Sequence, residues 1–269
     1  MKILFFGDIV GRPGREAIKK ILPELKKKYE PDLVLANGEN LSHGRGISLS
    51  GFKELRESGI DWLTSGNHAF ARKEAKEIFE DKNQPILRPA NWPKGAPGRG
   101  YEIINLRSKK ILLINLIGRV YMAQQFNDPF ACVDNILEDY SLVKSAGCDK
   151  VDEIIVDWHA EASSEKMVMG WYLDGRVSAV LGTHTHVGTD DAQILPQGTA
   201  YVSDIGMVGP KNSVLGVDKE IVLKRFLTQM PHQMEVAQGP VLVNAVLLTL
   251  DDAAGLAQNI EKIRDIVEV

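Results

Sequence analysis

"VSAVLGTHTH", residues 177–186, decides how the chain is read. A short apolar, β-prone run ends at Gly182, and two imidazoles, His184 and His186, follow one residue apart. The chain has only six histidines, so a pair placed here needs a reason. One reading is a polar turn that happens to contain them. The other is a strand whose carboxyl end presents ligands to a crevice, the edge where open α/β sheets form their sites. The rest of the sequence separates the two.

The same pattern recurs upstream. "KILFF" (2–6) runs into Gly7 and Asp8, and "DLVLAN" (32–37) into Gly38, Glu39 and Asn40. "DWLTS" (61–65) precedes Gly66, Asn67 and His68, while "DEIIVDWH" (152–159) ends in His159. Alone, His159 reads as a hydrogen-bonded structural histidine, and Asn37 and Asn40 as turn residues. Five strand ends carrying oxygen or imidazole groups favour one shared site over five accidents. Between the runs lie amphipathic stretches. Residues 14–29 place Ile18, Ile21, Leu22 and Leu25 on one face, a second helix opens near Ser48 or Ser50, and a third covers residues 71–81. This is βαβαβ, which requires parallel strands joined by right-handed crossovers.

Further along, residues 85–100 hold four prolines and three glycines and read as loop. Residues 101–117 read as a hairpin turning at 107–109, followed by a helix over 128–146 and another over 163–173. A second hairpin spans 192–204. The chain then closes with a strand over 240–250 and a helix over 251–267, N-capped by Asp251. Nothing resembles a linker or a repeat, so residues 1–269 are expected to form one mixed α/β domain.

Composition limits the function. A net charge of −4 argues against an extended nucleic-acid groove, and Lys26, Lys27 and Lys28 read as the solvated end of a helix. Cys132 and Cys148 form no CxxC pair and are expected to be small buried hydrophobes, which leaves no thiolate metal site. "MKILFFGDIVGRPG" meets charge too early for a signal peptide, and no stretch approaches ~20 apolar residues. No membrane partner and a cytoplasmic location are expected. The number of copies in the working protein stays open.

The clustered residue types suit a metal. Carboxylate and amide oxygens with imidazole nitrogens favour borderline cations such as manganese, iron or zinc. Asp8, Glu39, Asn40, Asn67, His68, His159, His184 and His186 are too many for one tetrahedral ion and suit two ions sharing a carboxylate. Two divalent cations against Asp8 and Glu39 leave about +2 of charge, which favours phosphate over an uncharged ester. A dinucleotide fold fits poorly, since Gly7, Gly11 and Gly14 do not space as G-x-G-x-x-G.

"GDIVG" (7–11), "NGEN" (37–40), "GNHAF" (66–70), "DWHAE" (157–161) and "GTHTH" (182–186) resemble the blocks of the calcineurin-like metallophosphoesterases. More closely, they resemble the bacterial YmdB-like branch, which includes 2′,3′-cyclic-nucleotide phosphodiesterases. The resemblance implies a two-sheet β-sandwich flanked by helices, a four-layer fold with a binuclear metal site at the carboxyl strand ends. It implies that Asp8, Asn40 and His186 hold one ion, that Asn67, His159 and His184 hold the other, and that Glu39 bridges. Iron or manganese would occupy the site, with zinc as the alternative. The wider superfamily has D-x-H in the first block, where this chain has Val10, and Asn40 is taken to supply the missing ligand. Ala69 stands where many relatives carry an acid.

The implied reaction is hydrolysis of a small phosphodiester or cyclic nucleotide. A hydroxide bridging the ions attacks phosphorus, and His68 protonates the departing ribose oxygen as general acid. Arg12, His43, Arg45 and Phe70 are candidates for contact with phosphate or base, while His232, in a polar stretch, reads as solvated. Two alternatives remain, a phosphomonoesterase or nucleotidase, and a regulator that binds a nucleotide with little turnover.

Overall fold

The runs read as strands are apolar without alternation, as strands buried on both faces must be. In a computed structural model that describes residues 1–142 and 149–269, they form two stacked sheets. The first holds β1 (Lys2–Phe6), β2 (Asp8–Ile9), β3 (Leu33–Asn37), β4 (Trp62–Thr64), β13 (Met207–Pro210), β16 (Val241–Leu250) and β17 (Ala257–Val267). β1, β3 and β4 run parallel, and β16 lies antiparallel to both β1 and β17. β13 joins the start of β16 and pairs in parallel with β2, opposing Met207 to Asp8.

The second sheet holds β5 (Tyr101–Leu106), β6 (Lys109–Ile117), β9 (Glu153–His159), β10 (Ala179–Thr183), β11 (Gln193–Ile194) and β12 (Ala200–Val202). β6, β9, β10 and β12 are parallel, with β5 and β11 as antiparallel edges. Two small ladders lie outside the sheets, β7 (Tyr140–Ser141) with β8 (Asp149–Lys150), and β14 (Ser213–Val214) with β15 (Val217–Asp218).

Alternate side chains of each strand enter different cores. Ile3, Phe5, Leu33 and Leu35 meet Leu113, Ile155, Leu181 and Val202 between the sheets. Leu4, Phe6, Val34 and Ala36 face the other way, against helices α1 (Gly11–Tyr29) and α2 (Leu49–Ser58). On the far side Leu112, Ile154 and Val180 pack under α4 (Pro129–Asp139) and α5 (Ser163–Leu173). The result is helix, sheet, sheet, helix, the expected four layers. Stacking brings the carboxyl ends of β1, β3, β4, β9 and β10 to one rim.

Several boundaries differ from expectation. α1 starts at Gly11 rather than residue 14, because Pro13 is tolerated in a first turn whose N–H groups need no intrahelical partner. α3 covers only Ala75–Glu80, because the backbone before it is taken up in tighter single turns, with Ala71 N donating to His68 O at 2.9 Å and Ala75 N to Arg72 O at 3.2 Å. α4 ends at Asp139, because Tyr140 is already extended and Tyr140–Ser141 form β7 instead of the expected helix; residues 143–146 of that helix, and Cys148, lie outside the described ones. Cys132 is half-buried rather than buried.

The closing helix is wrong. Residues 257–267 are β17, the antiparallel partner of β16, with Ile260 opposite Leu248 and Ile263 opposite Ala245. The threefold spacing of Ala257, Ile260, Ile263 and Ile266 imitates a helix, but the open edge of β16 satisfies the backbone better. Asp251 does accept from Ala253 N and Ala254 N, both at 2.8 Å. That turn ends at once, because Gly255 (φ 69°) reverses the chain into the strand.

α6 (Lys219–Thr228) buries no residue and leaves Leu223, Phe226 and Leu227 exposed. Among the described residues, no helix is long and apolar enough to cross a membrane.

Candidate metal centre

The strand ends converge as the sequence suggests. Asp8, Glu39, Asn40 and His159 are buried at the shared rim, and His184 and His186 reach in from the loop after β10. Glu39 Oε2 lies 3.1 Å from His159 Nε2. The same nitrogen lies 3.1 Å from Asn67 Oδ1 and 3.1 Å from His184 Nδ1. On the other side of Glu39, Asn40 Nδ2 donates to Oε1 at 3.1 Å and sits 3.0 Å from His186 Nε2. Ligand atoms of Glu39, His159 and His184 fall within 4.8 Å of one another, as do those of Asp8, Glu39 and His186. Glu39 belongs to both sets.

These separations suit a cation. Ligands bonded at about 2.1 Å to a first-row ion stand roughly 3.0–3.4 Å apart, whether arranged octahedrally or tetrahedrally. Asp8 Oδ1 and His68 Nδ1 are buried with no hydrogen-bond partner among the described residues, a cost normally offset by an ion or a ligand. The oxygen and nitrogen donor set therefore fits borderline divalent metals.

The backbone is shaped for the cluster. A Cβ on Gly66 would lie 2.2 Å from both Glu39 Oε2 and His159 Nε2, so only glycine lets the loop after β4 pass there. His184 (φ 100°) and His186 (φ 64°) both adopt left-handed backbone, a strain of roughly 1–3 kcal/mol each that persists where function requires it. Each imidazole is also held by its outward nitrogen. His184 Nε2 lies 3.0 Å from Glu161 Oε2, His186 Nδ1 2.9 Å from Leu215 O, and His159 Nδ1 2.9 Å from Thr183 Oγ1. Partners of this kind orient a metal-binding ring and choose its tautomer.

The electrostatics of the pocket favour positive charge beside Glu39 and Asp8. Burial pushes Asp8 up to about 6 against the pull of His186 and His159. Burial acts the same way on Glu39, yet His159 holds its carboxyl well below the usual range. Burial disfavours a charged His159, but Glu39 and then Asp8 raise it to about 9. A proton on His159 thus occupies the place of a positive charge. Burial and the neighbouring His159 lower His184 to about 3.

The remaining candidates divide. His68 N donates to Glu39 Oε2 at 3.2 Å, which puts the side chain beside the cluster. Burial lowers its pKa, Glu39 opposes this, and the Arg45 guanidinium adds to the lowering. Arg45 and His43 are exposed on the loop between β3 and α2. Arg12 is turned away, with 79% of its side chain exposed and Nε 2.7 Å from Glu16. Phe70 is half-buried, 5.2 Å from Phe79 and 5.1 Å from Trp92 between ring centroids. Val10 and Ala69 are buried and apolar, and His232 is half-buried rather than solvated.

Some participants escaped the sequence reading. Lys166 of α5 is buried, donating to Thr183 O at 2.6 Å and to Asp204 Oδ2 at 3.1 Å. The same Asp204 oxygen accepts from Thr185 N at 3.1 Å, and Oδ1 accepts from Gly206 N at 2.8 Å, so the pair pins the histidine loop. Asp204 follows β12, a sixth strand end, which was the available signal. Asn37 donates to Asp157 Oδ2 at 2.9 Å and is no mere turn residue.

The family model for YmdB-like proteins matches residues 4–263. A 2′,3′-cyclic-nucleotide 2′-phosphodiesterase of Bacillus subtilis is 43% identical over 263 residues, covering 98% of this chain and 96% of its own. The crystal structure of a novel phosphatase from Mycoplasma pneumoniae superposes with a TM-score of 0.91 at 33% identity, covering 100% of this chain and 94% of that one. The calcineurin-like phosphoesterase YfkN from Bacillus subtilis shares the fold alone, at TM-score 0.55 and 12% identity over 98% of this chain and 90% of that one. A match spanning all five sequence blocks and both sheets leaves one assignment: the chain belongs to the YmdB-like family of proteins, on the calcineurin-like phosphoesterase fold.

Proposed function

We propose that residues 1–269 act as one metal-dependent phosphodiesterase domain that hydrolyses small phosphodiesters, 2′,3′-cyclic nucleotides first among them. The observation that carries this reading is the pair of ligand sets sharing Glu39. The name of the Bacillus subtilis relative supports the substrate class. Asp8, Asn40 and His186 would hold one divalent ion, and Asn67, His159 and His184 the other, with Glu39 between. Asn40 would serve through Oδ1 after its amide turns over. Iron or manganese suits this donor set best, with zinc as the alternative. When bound, such a pair supplies a hydroxide nucleophile near neutral pH and neutralises charge on phosphorus.

The chain's own residues supply the rest. His68, adjoining Glu39, would give its proton to the leaving ribose oxygen. Burial lowers its pKa, and an anionic phosphate beside it would restore the imidazolium. Arg45 is the favoured phosphate contact, since its charge already reaches His68. His43 and Phe70 would border the base, and Arg12 would contribute only after leaving Glu16. A cytoplasmic setting belongs to the same proposal.

The test supplies Mn²⁺ or Fe²⁺ to the purified protein and follows bis-p-nitrophenyl phosphate and 2′,3′-cyclic AMP. Hydrolysis of both is expected, with 3′-AMP as the product of the second. His68→Ala should keep its metal and lose about 10²–10⁴-fold in kcat. Unchanged kcat would remove His68 from the reaction. The name of the Mycoplasma pneumoniae protein favours a phosphomonoesterase as second reading, and faster release of phosphate from 3′-AMP than opening of the cyclic ester would establish it. Metal binding with neither activity would favour a nucleotide-binding regulator.

A further inference from the structure

His159 is gripped from behind by a chain of buried polar groups. Its Nδ1 lies 2.9 Å from Thr183 Oγ1. The Thr183 hydroxyl donates to Asp157 Oδ1 at 2.7 Å, and Asp157 Oδ2 accepts from Asn37 Nδ2 at 2.9 Å. Asn37, Asp157, His159 and Thr183 are all 0% exposed, so water cannot replace any link. A hydroxyl has one proton. With that proton committed to Asp157, Thr183 can offer His159 only a lone pair, and Nδ1 must be the nitrogen that carries hydrogen.

We propose that Asp157 and Thr183 are positioning residues, a tautomer lock that keeps His159 in the Nδ1–H form and aims its Nε2 lone pair at the cluster of Glu39, Asn67 and His184. The inference rests on reading His159 as a metal ligand. Its far end is anchored as well, because Asn37 Oδ1 accepts from Glu39 N at 3.1 Å. The Asn37 amide therefore cannot turn over without losing that bond.

The anchoring gives the lock a direction that one substitution reverses. In Asp157→Asn the new amide group cannot face the amide of Asn37, so it must face Thr183. The hydroxyl then accepts from residue 157 and donates to Nδ1. His159 switches to the Nε2–H form, which turns a proton toward Glu39 and removes the lone pair. A serine triad loses activity in the same manner when its buried aspartate becomes asparagine. Thr183→Ser keeps the hydroxyl and the lock, whereas Thr183→Val removes both.

The experiment reads the ring by nitrogen NMR in the Zn²⁺-loaded protein and measures Mn²⁺ affinity by chelator competition, with circular dichroism to check folding. Wild type and Thr183→Ser should show His159 with a hydrogen-bonded Nδ1–H and an unprotonated, coordinated Nε2. Asp157→Asn should show the reversed ring, and it and Thr183→Val should bind Mn²⁺ about 10–100-fold more weakly at one position. Thr183→Val keeps the test open should Asp157→Asn not fold. Wild-type affinity in both Asp157→Asn and Thr183→Val, or an Nε2–H ring in wild type, would overturn the lock. A His159 ring that Zn²⁺ leaves unchanged would overturn the ligand reading instead, with the tautomer of the neutral ring at alkaline pH still deciding the lock.

Discussion

Strand β9 carries a fully buried ionisable side chain at each end, and the two ends are built differently. At the carboxyl end, His159 meets Glu39, Asn67, His184 and Thr183, all at 2.9–3.1 Å. At the amino end, Glu153 has no hydrogen-bond partner on either oxygen among the described residues, and Lys109 Nζ stays 3.7 Å away. Burial pushes Glu153 up to about 7, with Lys109 only partly opposing. The cations differ as well, since buried Lys166 at the site end is bonded to Asp204 and Thr183, while partly exposed Lys109 donates to Asp252 O at 2.5 Å and stays 3.7–4.0 Å from three carboxylates. The groups left unpaired at the site end, Asp8 Oδ1 and His68 Nδ1, adjoin a set of ligand atoms that a cation would satisfy, whereas Glu153 at the amino end faces only the distant Lys109.

The most severe way to break this contrast is Glu39→Gln, which keeps shape and removes the charge common to both ligand sets. We expect kcat/KM to fall about 10³-fold or more, with fewer than two ions per chain by elemental analysis. Near-normal activity would mean that the carboxylate is not shared.

Lys166→Met tests whether the site end is braced. It leaves Asp204 buried without its cation, so the denaturant midpoint should fall by the equivalent of about 3–4 kcal/mol. Stability within 1 kcal/mol of wild type would show that the histidine loop needs no such brace.

Glu153→Gln sharpens the opposite end and should have the smallest effect. Burial pushes the carboxyl up to about 7 from its ordinary 4.5, so the folded protein binds the proton more tightly. Stability therefore falls as pH rises between those values, and the loss is complete above 7. The variant should exceed wild type by about 1–2 kcal/mol at pH 8 and show no advantage near pH 4.5. A gain at both pH values would mean that the charge on Glu153 is not the cause.

What the sequence revealed follows from how local each signal was. A strand, a glycine and a ligand residue are consecutive, so "KILFFGD", "LVLANGEN" and "AVLGTHTH" located the parallel strands and the rim together. Asp157 and Thr183 lie within apolar runs, and their partnership depends on β9 pairing with β10, which places Asp157 beside Leu181 and Thr183 beside His159. Lys166 sits on a helix where lysine ordinarily reads as solvated, and its burial is set by Asp204, 38 residues away. β17 is not legible in the sequence, because its spacing satisfies a helix while its hydrogen bonds belong to β16.

Crystals grown with Mn²⁺ and measured for anomalous scattering test the central claim most directly. Two peaks about 3.5–4 Å apart are expected, one against Asp8, Asn40 and His186, the other against Asn67, His159 and His184, with Glu39 touching both. A single peak, or none at this rim in Mn²⁺-replete crystals, would contradict it.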